Sequence, residues 1–225
     1  MAPRASALLL LLASCYSADH APAPECEPLP VPEGCTLLDD FDDGDPESNT
    51  WSAWMYGATG VREEACTLMV EFGAGMVPPA SIAGTISRDV RDLREMRWSA
   101  EVRQTTSPTT MAETYLIAGP DTRNRVAIRQ TVGILQARMR VNDLPVTLAE
   151  VSYDPIAHRF WAIRHVGDDV GFETSVDGTH WSLWISVPKA FELSAAYVDL
   201  EAETNTTVTD PGAAHFGRAR VCPIE

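Results

Sequence analysis

The chain has 225 residues, 45% of them hydrophobic, so it can bury a sizeable core and global disorder is excluded. Its 17 basic and 32 acidic residues leave a net charge of −15, which repels phosphate backbones and argues against a nucleic-acid partner. Lys189 is the one lysine among the basic residues, an arginine bias that points to a GC-rich bacterial genome.

The first fifteen residues read as an export signal. Arg4 and the amino terminus supply positive charge, and residues 7–13, with leucine at every position from Leu8 to Leu12, supply the apolar stretch. That stretch is too short to span a bilayer, which needs about 20 residues. Leu12-Ala13-Ser14-Cys15 resembles the bacterial lipobox. The resemblance implies removal of residues 1–14 and acylation of Cys15, with several acyl chains giving stable membrane anchoring. An ordinary export signal with an accidental cysteine is the alternative. Tyr16 stands where an aspartate would favour inner-membrane retention, so the outer membrane is the expected address. Residues 15–34 form a tether in which Pro22, Pro24, Pro28, Pro30 and Pro32 favour extended polyproline II.

Four cysteines remain: Cys26, Cys35, Cys66 and Cys222. An even number in an exported chain suggests two disulfides, with three possible connectivities. The sequence contains neither Cys-x-x-Cys nor His-x-His, which argues against zinc. Residues 36–41 and 216–221 are apolar-alternating runs at opposite ends of the domain. First and last strands pair in many sandwiches, which favours Cys35–Cys222 and leaves Cys26–Cys66.

Beyond residue 35 the apolar period is two. Strands are expected at 67–72, 82–87, 97–104, 114–118, 125–130, 136–141, 146–151, 159–166, 170–175, 181–187, 195–203 and 216–221. Turn residues separate them, among them Gly119-Pro120-Asp121, Asn142-Asp143 and Asp177-Gly178. The best helical candidate is the charged segment 89–96. This pattern predicts one all-β domain over 35–225, a monomeric two-sheet antiparallel jelly-roll sandwich.

Residues 159–185 read RFWAIRHVGDDVGFETSVDGTHWSLWI. This hairpin, closing on Ser175-x-Asp177-Gly178-x-x-Trp181, resembles the concanavalin A-like lectin/glucanase superfamily. The opening Leu38-Asp39-Asp40-Phe41 with Trp51 and Trp54 resembles how such domains begin. The resemblance implies a jelly roll whose concave sheet can take a glycan. Asp177 is then a turn carboxylate capping backbone N–H groups, and Trp181 a core aromatic. Glucanases of the superfamily carry Glu-x-Asp-x-(x)-Glu on one strand. Here Asp199, Glu201 and Glu203 share a face, but Tyr197 stands at the leading position. An acidic solvent-facing strand is the simpler account, and no Gly-x-Ser-x-Gly or P-loop is present, so no enzymatic activity is expected.

Two binding features remain. The run Asp39, Asp40, Asp42, Asp43, Asp45 offers clustered oxygens, with Asp40, Asp42 and Asp43 as candidate Ca2+ ligands against the alternative of a solvated turn. The aromatic set Trp51, Trp54, Tyr56, Trp161, Trp181, Trp184 and Tyr197 could stack on sugars, although at least half of it is expected in the core. Period-two facing puts Trp161 and Ile163 inside and Arg164 and Glu173 outside. The candidate ligand set is therefore Trp54, Arg164, Glu173 and Tyr197, with a surface ion pair as the plainer role for Arg164 and Glu173. Three functions stay open: a non-catalytic lectin-like module for a glycan or envelope polymer, a structural or protein-interaction lipoprotein, and a divergent glycoside hydrolase.

Overall fold

The structure is a computed structural model and describes residues 31–224. The signal segment, Cys15, Cys26 and tether residues 15–30 lie outside the described residues. The strands in chain order are β1 (Thr36–Asp39), β2 (Trp51–Tyr56), β3 (Thr59–Glu63), β4 (Leu68–Phe72), β5 (Met76–Val77), β6 (Ser81–Ser87), β7 (Met96–Gln104), β8 (Ala112–Gly119), β9 (Arg125–Thr131), β10 (Ile134–Val141), β11 (Leu144–Ser152), β12 (Phe160–Val166), β13 (Asp169–Ser175), β14 (Ser182–Pro188), β15 (Tyr197–Thr204), β16 (Val208–Thr209) and β17 (Ala213–Pro223).

An eight-stranded sheet runs β14-β13-β12-β7-β17-β4-β3, with β1 also paired to β17. A seven-stranded sheet runs β11-β10-β9-β8-β15-β6-β2, and β5 with β16 makes a small ribbon. Every one of these pairings is antiparallel. The fold is the expected two-sheet jelly-roll sandwich.

Alternation decides which side chains meet between the sheets. From the seven-stranded sheet come Leu116, Val126, Ile128, Leu135, Ala137, Val198, Leu200 and Ala202. From the other come Trp98, Ala100, Val102, Trp161, Ile163, Val170, Phe172 and Phe216. The indole N–H of Trp98 donates to the Ile117 carbonyl at 3.1 Å, which joins the two sheets through a buried polar group that would otherwise be unpaired.

All twelve expected strands are present, their ends displaced by up to three residues, and β2, β3, β5 and β16 are additional. The expected helix at 89–96 is absent. Arg91 instead bridges Ala196 in both directions, at 2.7 and 2.9 Å, and the Leu93 N–H donates to Leu193. Partners for these backbone groups far along the chain, with Leu93 buried, outweigh a helix of two turns, which is marginal on its own.

Cys35 and Cys222 form a disulfide across 187 residues, beside the Thr36–Val221 register pair of β1 and β17. Closing so long a loop contributes roughly 5 kcal/mol in the chain-entropy account. Cys66 is also disulfide-bonded. In the β13–β14 turn, the Thr179 and His180 N–H groups both donate to Asp177 Oδ1 at 2.8 Å. The His180 side chain, followed by these backbone donors, holds the Asp177 carboxyl well below its usual range. Gly178 has φ +75°, and a Cβ there would come within 2.9 Å of the Phe160 ring. Trp181 departs from its expected core position: it is half-buried and lies under the Arg97 guanidinium, 5.0 Å from the ring centroid.

Candidate functional site

The outward face of the seven-stranded sheet carries two cross-strand rows of side chains. One row runs Trp54, Gly84, Glu201, Tyr115, Arg129, Gln136, Glu150 across all seven strands. The next runs Ser52, Ile86, Asp199, Ile117, Ala127, Arg138, Thr147. Period-two alternation places Glu203 and Glu113 on the same face on one side of these rows, and Arg125 and Arg140, paired in register, on the other. Gly84 lets β6 lie close against β15 between Trp54 and Glu201; a Cβ there would approach the Leu200 carbonyl oxygen to 2.2 Å. Above the rows lies an open cleft of about 690 Å3, with Trp54 at one rim. A smaller cleft of about 280 Å3 continues from it past Arg125 and Asp199 to Tyr197 and Gly119.

Asp199, Glu201 and Glu203 were expected on a solvent-facing strand. They do face outward, but Asp199 is only 7% exposed and Glu201 1%. Wide side chains on the flanking strands, together with the arginines, wall them in. Burial pushes Asp199 up to about 7, against the pull of Arg125 and the Leu200 N–H. Burial, and then the Asp199 charge, drive Glu201 well above the carboxylate range. Arg125 approaches Glu201 only to 3.6 Å, and among the described residues Asp199 Oδ1 and Glu201 Oε1 have no hydrogen-bond partner.

Glu203 behaves differently. Burial alone would raise it, but hydrogen bonds from Glu113, Tyr115 and Asn205 hold it below its ordinary value. The Tyr115 hydroxyl lies 2.7 Å from Glu203 Oε1 and also contacts Glu113, and Asn205 donates to both carboxylates at 2.9 and 3.0 Å. Burial and then Glu203 raise the proton affinity of Glu113. Arg129 closes the network, reaching Glu113 at 2.8 Å and Gln136 Oε1 at 2.7 Å.

The four expected ligand-binding residues do not form one site. Trp54 and Tyr197 flank the clefts. Arg164 and Glu173 lie on the outer face of the opposite sheet, 3.5 Å apart, and Arg97 donates to Glu173 at 2.6 Å. They form an ion pair in which Glu173 is buried rather than at the surface. The reason is topological: β12 and β13 belong to the eight-stranded sheet and β15 to the other, an assignment that period-two facing leaves open. Of the seven aromatics, Trp51 and Trp161 are fully buried, Tyr56 is exposed, and Trp54, Trp181, Trp184 and Tyr197 are half-buried, so fewer are core than expected.

A second open cleft, of about 660 Å3, follows the acidic run and is lined by Asp39, Asp40, Asp42, Asp43 and Asp45. Carboxylates of Asp39, Asp43 and Asp45 accept backbone N–H bonds from Phe41, Asp45 and Glu47. Among the described residues no group of three or more His, Cys, Asp or Glu side chains is arranged to hold a metal ion. Of the candidate Ca2+ ligands, Asp43 accepts the Asp45 N–H, and Asp40 and Asp42 line the same cleft.

Sequence reasoning missed Glu113, Tyr115, Arg125, Arg129, Arg138 and Arg140. The signal was available in the alternations Arg125-x-Ala127-x-Arg129 and Gln136-x-Arg138-x-Arg140, which put charge on one face of adjacent strands.

No family model matches the chain, and no curated protein does either. Solved structures do. The exoplasmic/lumenal domain of VIP36, in a Ca2+/Man3GlcNAc-bound form, superposes with TM-score 0.60 at 11% identity, covering 87% of this chain and 90% of that one. SCLam, a non-specific endo-beta-1,3(4)-glucanase from family GH16, gives TM-score 0.57 at 9% identity, covering 89% and 96%. A beta-1,3-glucanase from Mycobacterium marinum gives 0.57 at 12% identity, covering 83% and 98%. At these identities the likeness establishes the fold alone: the chain shares the two-sheet jelly-roll sandwich of these structures.

Proposed function

We propose that the chain is a non-catalytic, membrane-anchored glycan-binding module whose ligand lies along the outward face of the seven-stranded sheet. The observation that carries this reading is the cleft over the Trp54–Glu150 row. It combines a rigid sheet floor, polar side chains fixed by mutual hydrogen bonds, and half-buried aromatic rings at Trp54 and Tyr197. Ring faces suit the C–H surface of a sugar, and convergent polar groups orient its hydroxyls. Acylated Cys15 would hold the domain at the envelope, with the outer membrane as the proposed address and residues 15–34 as spacer.

A second reading, a divergent glycoside hydrolase, draws support from one feature. Asp199 and Glu201 are shifted up while Glu203 is shifted down on the same strand, and carboxylates with separated proton affinities are what acid and base roles require. Against it, Glu203 is committed to Glu113, Tyr115 and Asn205.

The test is a glycan array probed with the full chain, its Trp54→Ala variant and its Tyr197→Ala variant. Retention of a glycan, weakened about tenfold or more in either variant, is expected. No retained glycan would promote the protein-interaction alternative. Release of new reducing ends, lost in Glu203→Gln, would establish the hydrolase.

A further inference from the structure

Of the four arginines lining the cleft, Arg129 is held by Glu113 and Gln136, and the other three are conspicuous for what they do not bind. Across the molecule, on the outer face of the eight-stranded sheet, Arg103, Arg159 and Arg218 all converge on Glu101, and Arg97 is seated on Glu173. In the cleft, Arg138 makes no hydrogen bond or ion pair with any described residue, although its Nε is buried. Arg140 has one long contact, 3.4 Å to the Thr122 carbonyl, and Arg125 reaches Glu201 only at 3.6 Å. A guanidinium carries five donors in a fixed fork, and sheltering even one of them, here the Nε of Arg138, from water without an acceptor is unfavourable. A site with this arrangement is completed by an acceptor from outside.

We propose, building on the glycan-binding reading, that the cleft takes an acidic saccharide whose oxyanion group sits on Arg125, Arg138 and Arg140. The register places these three together: Arg125 pairs with Arg140, and Arg138 lies two residues away on the same face of β10. A planar fork matches a carboxylate or sulfate oxyanion in bidentate fashion. Burial raises the proton affinity of the acidic side chains nearest to them, Asp199 and Glu201, so these cancel less of this charge as pH falls below neutral. Once protonated, each also offers an O–H to a ring or hydroxyl oxygen. The three arginines thus form a local cationic spot on a chain of net charge −15.

The experiment is calorimetric titration of the full chain at about pH 6 with three oligosaccharides of matched length: an oligogalacturonate, a sulfated galactan fragment and a neutral laminarin fragment. Preference for one acidic arm over the neutral one by about tenfold or more is expected, and which arm wins identifies the oxyanion. The preference should shrink with added salt and fall about tenfold or more in Arg138→Gln and in Arg138→Lys, which keeps charge but loses the fork. Arg62→Gln, which removes the same charge from an exposed pair with Glu71 on the other sheet, should leave it unchanged. Neutral oligosaccharide bound as tightly as the acidic ones would overturn this inference and leave the glycan reading standing. No binding in any arm would overturn both. Undiminished acidic preference in both Arg138 variants would also overturn the inference.

Discussion

Replacing Asp199 by asparagine should stabilise the domain, and by an amount that grows with pH. Asp199 is 7% exposed, its Oδ1 has no partner among the described residues, and its native pKa is raised to about 7. Burial is the main cause; Arg125 and the Leu200 N–H oppose it, and Ile86 and Ile117 flank it on the neighbouring strands. The native state therefore keeps a proton that the unfolded chain, titrating near 3.9, has already released. A group shifted upward in this way contributes fully below the unfolded value, and its contribution is lost as pH rises through the folded value. Each pH unit in that window removes about 1.4 kcal/mol, or about 4 kcal/mol over the whole span. Asparagine keeps the shape without the titration. Urea unfolding of wild type and Asp199→Asn should show the variant gaining about 2 kcal/mol relative to wild type between about pH 5.5 and pH 7, then levelling off. A difference that stays flat across that range would refute the reasoning. Glu201, two residues along the strand and also shifted upward, should give the same sign in Glu201→Gln.

Glu101→Gln should be destabilising, because fully buried Glu101 is ringed by Arg103, Arg159 and Arg218. Breaking a buried network of this kind costs roughly 2–4 kcal/mol at pH 7, allowing for the partial exposure of the arginines, and is read by urea unfolding. Burial would raise the Glu101 pKa, yet the three arginines bring it below its ordinary value, so the loss should narrow as pH falls below about 4. Asp177→Ala should lower the thermal midpoint by freeing the Thr179 and His180 N–H groups, while glycan affinity stays at the wild-type value. Cys15→Ser should abolish incorporation of a clickable palmitate analogue and release the protein from the envelope; unchanged labelling would contradict the anchoring proposal.

The sandwich was legible because alternation survives in single strands. Val198-x-Leu200-x-Ala202 and Val126-x-Ile128 announce both period and inward face, and Asp177-Gly178 announces its turn. The Cys35–Cys222 bridge was legible for the same reason, since the runs beside the two cysteines pair. What alternation cannot say is which sheet a strand joins. That is why Arg164 and Glu173 were grouped with Trp54 and Tyr197 although they sit on opposite faces of the molecule. It also cannot say whether an outward face is wet. Asp199 and Glu201 read as surface carboxylates, and only the assembled rows of Tyr115, Arg125 and Arg129 around them remove the water. The segment 89–96 failed differently: its local charge pattern suits a helix, but its backbone groups find partners at 193 and 196, far away in sequence.

The central claim is that the outward face of the seven-stranded sheet binds a glycan. Hydrogen–deuterium exchange of the full chain, with and without the best array ligand, tests it most directly. Protection should concentrate in β8, β9, β10 and β15, whose side chains floor the cleft, and should weaken in Trp54→Ala. Protection confined to β12 and β13, around Arg164 and Glu173, would place the ligand on the opposite sheet and contradict the account.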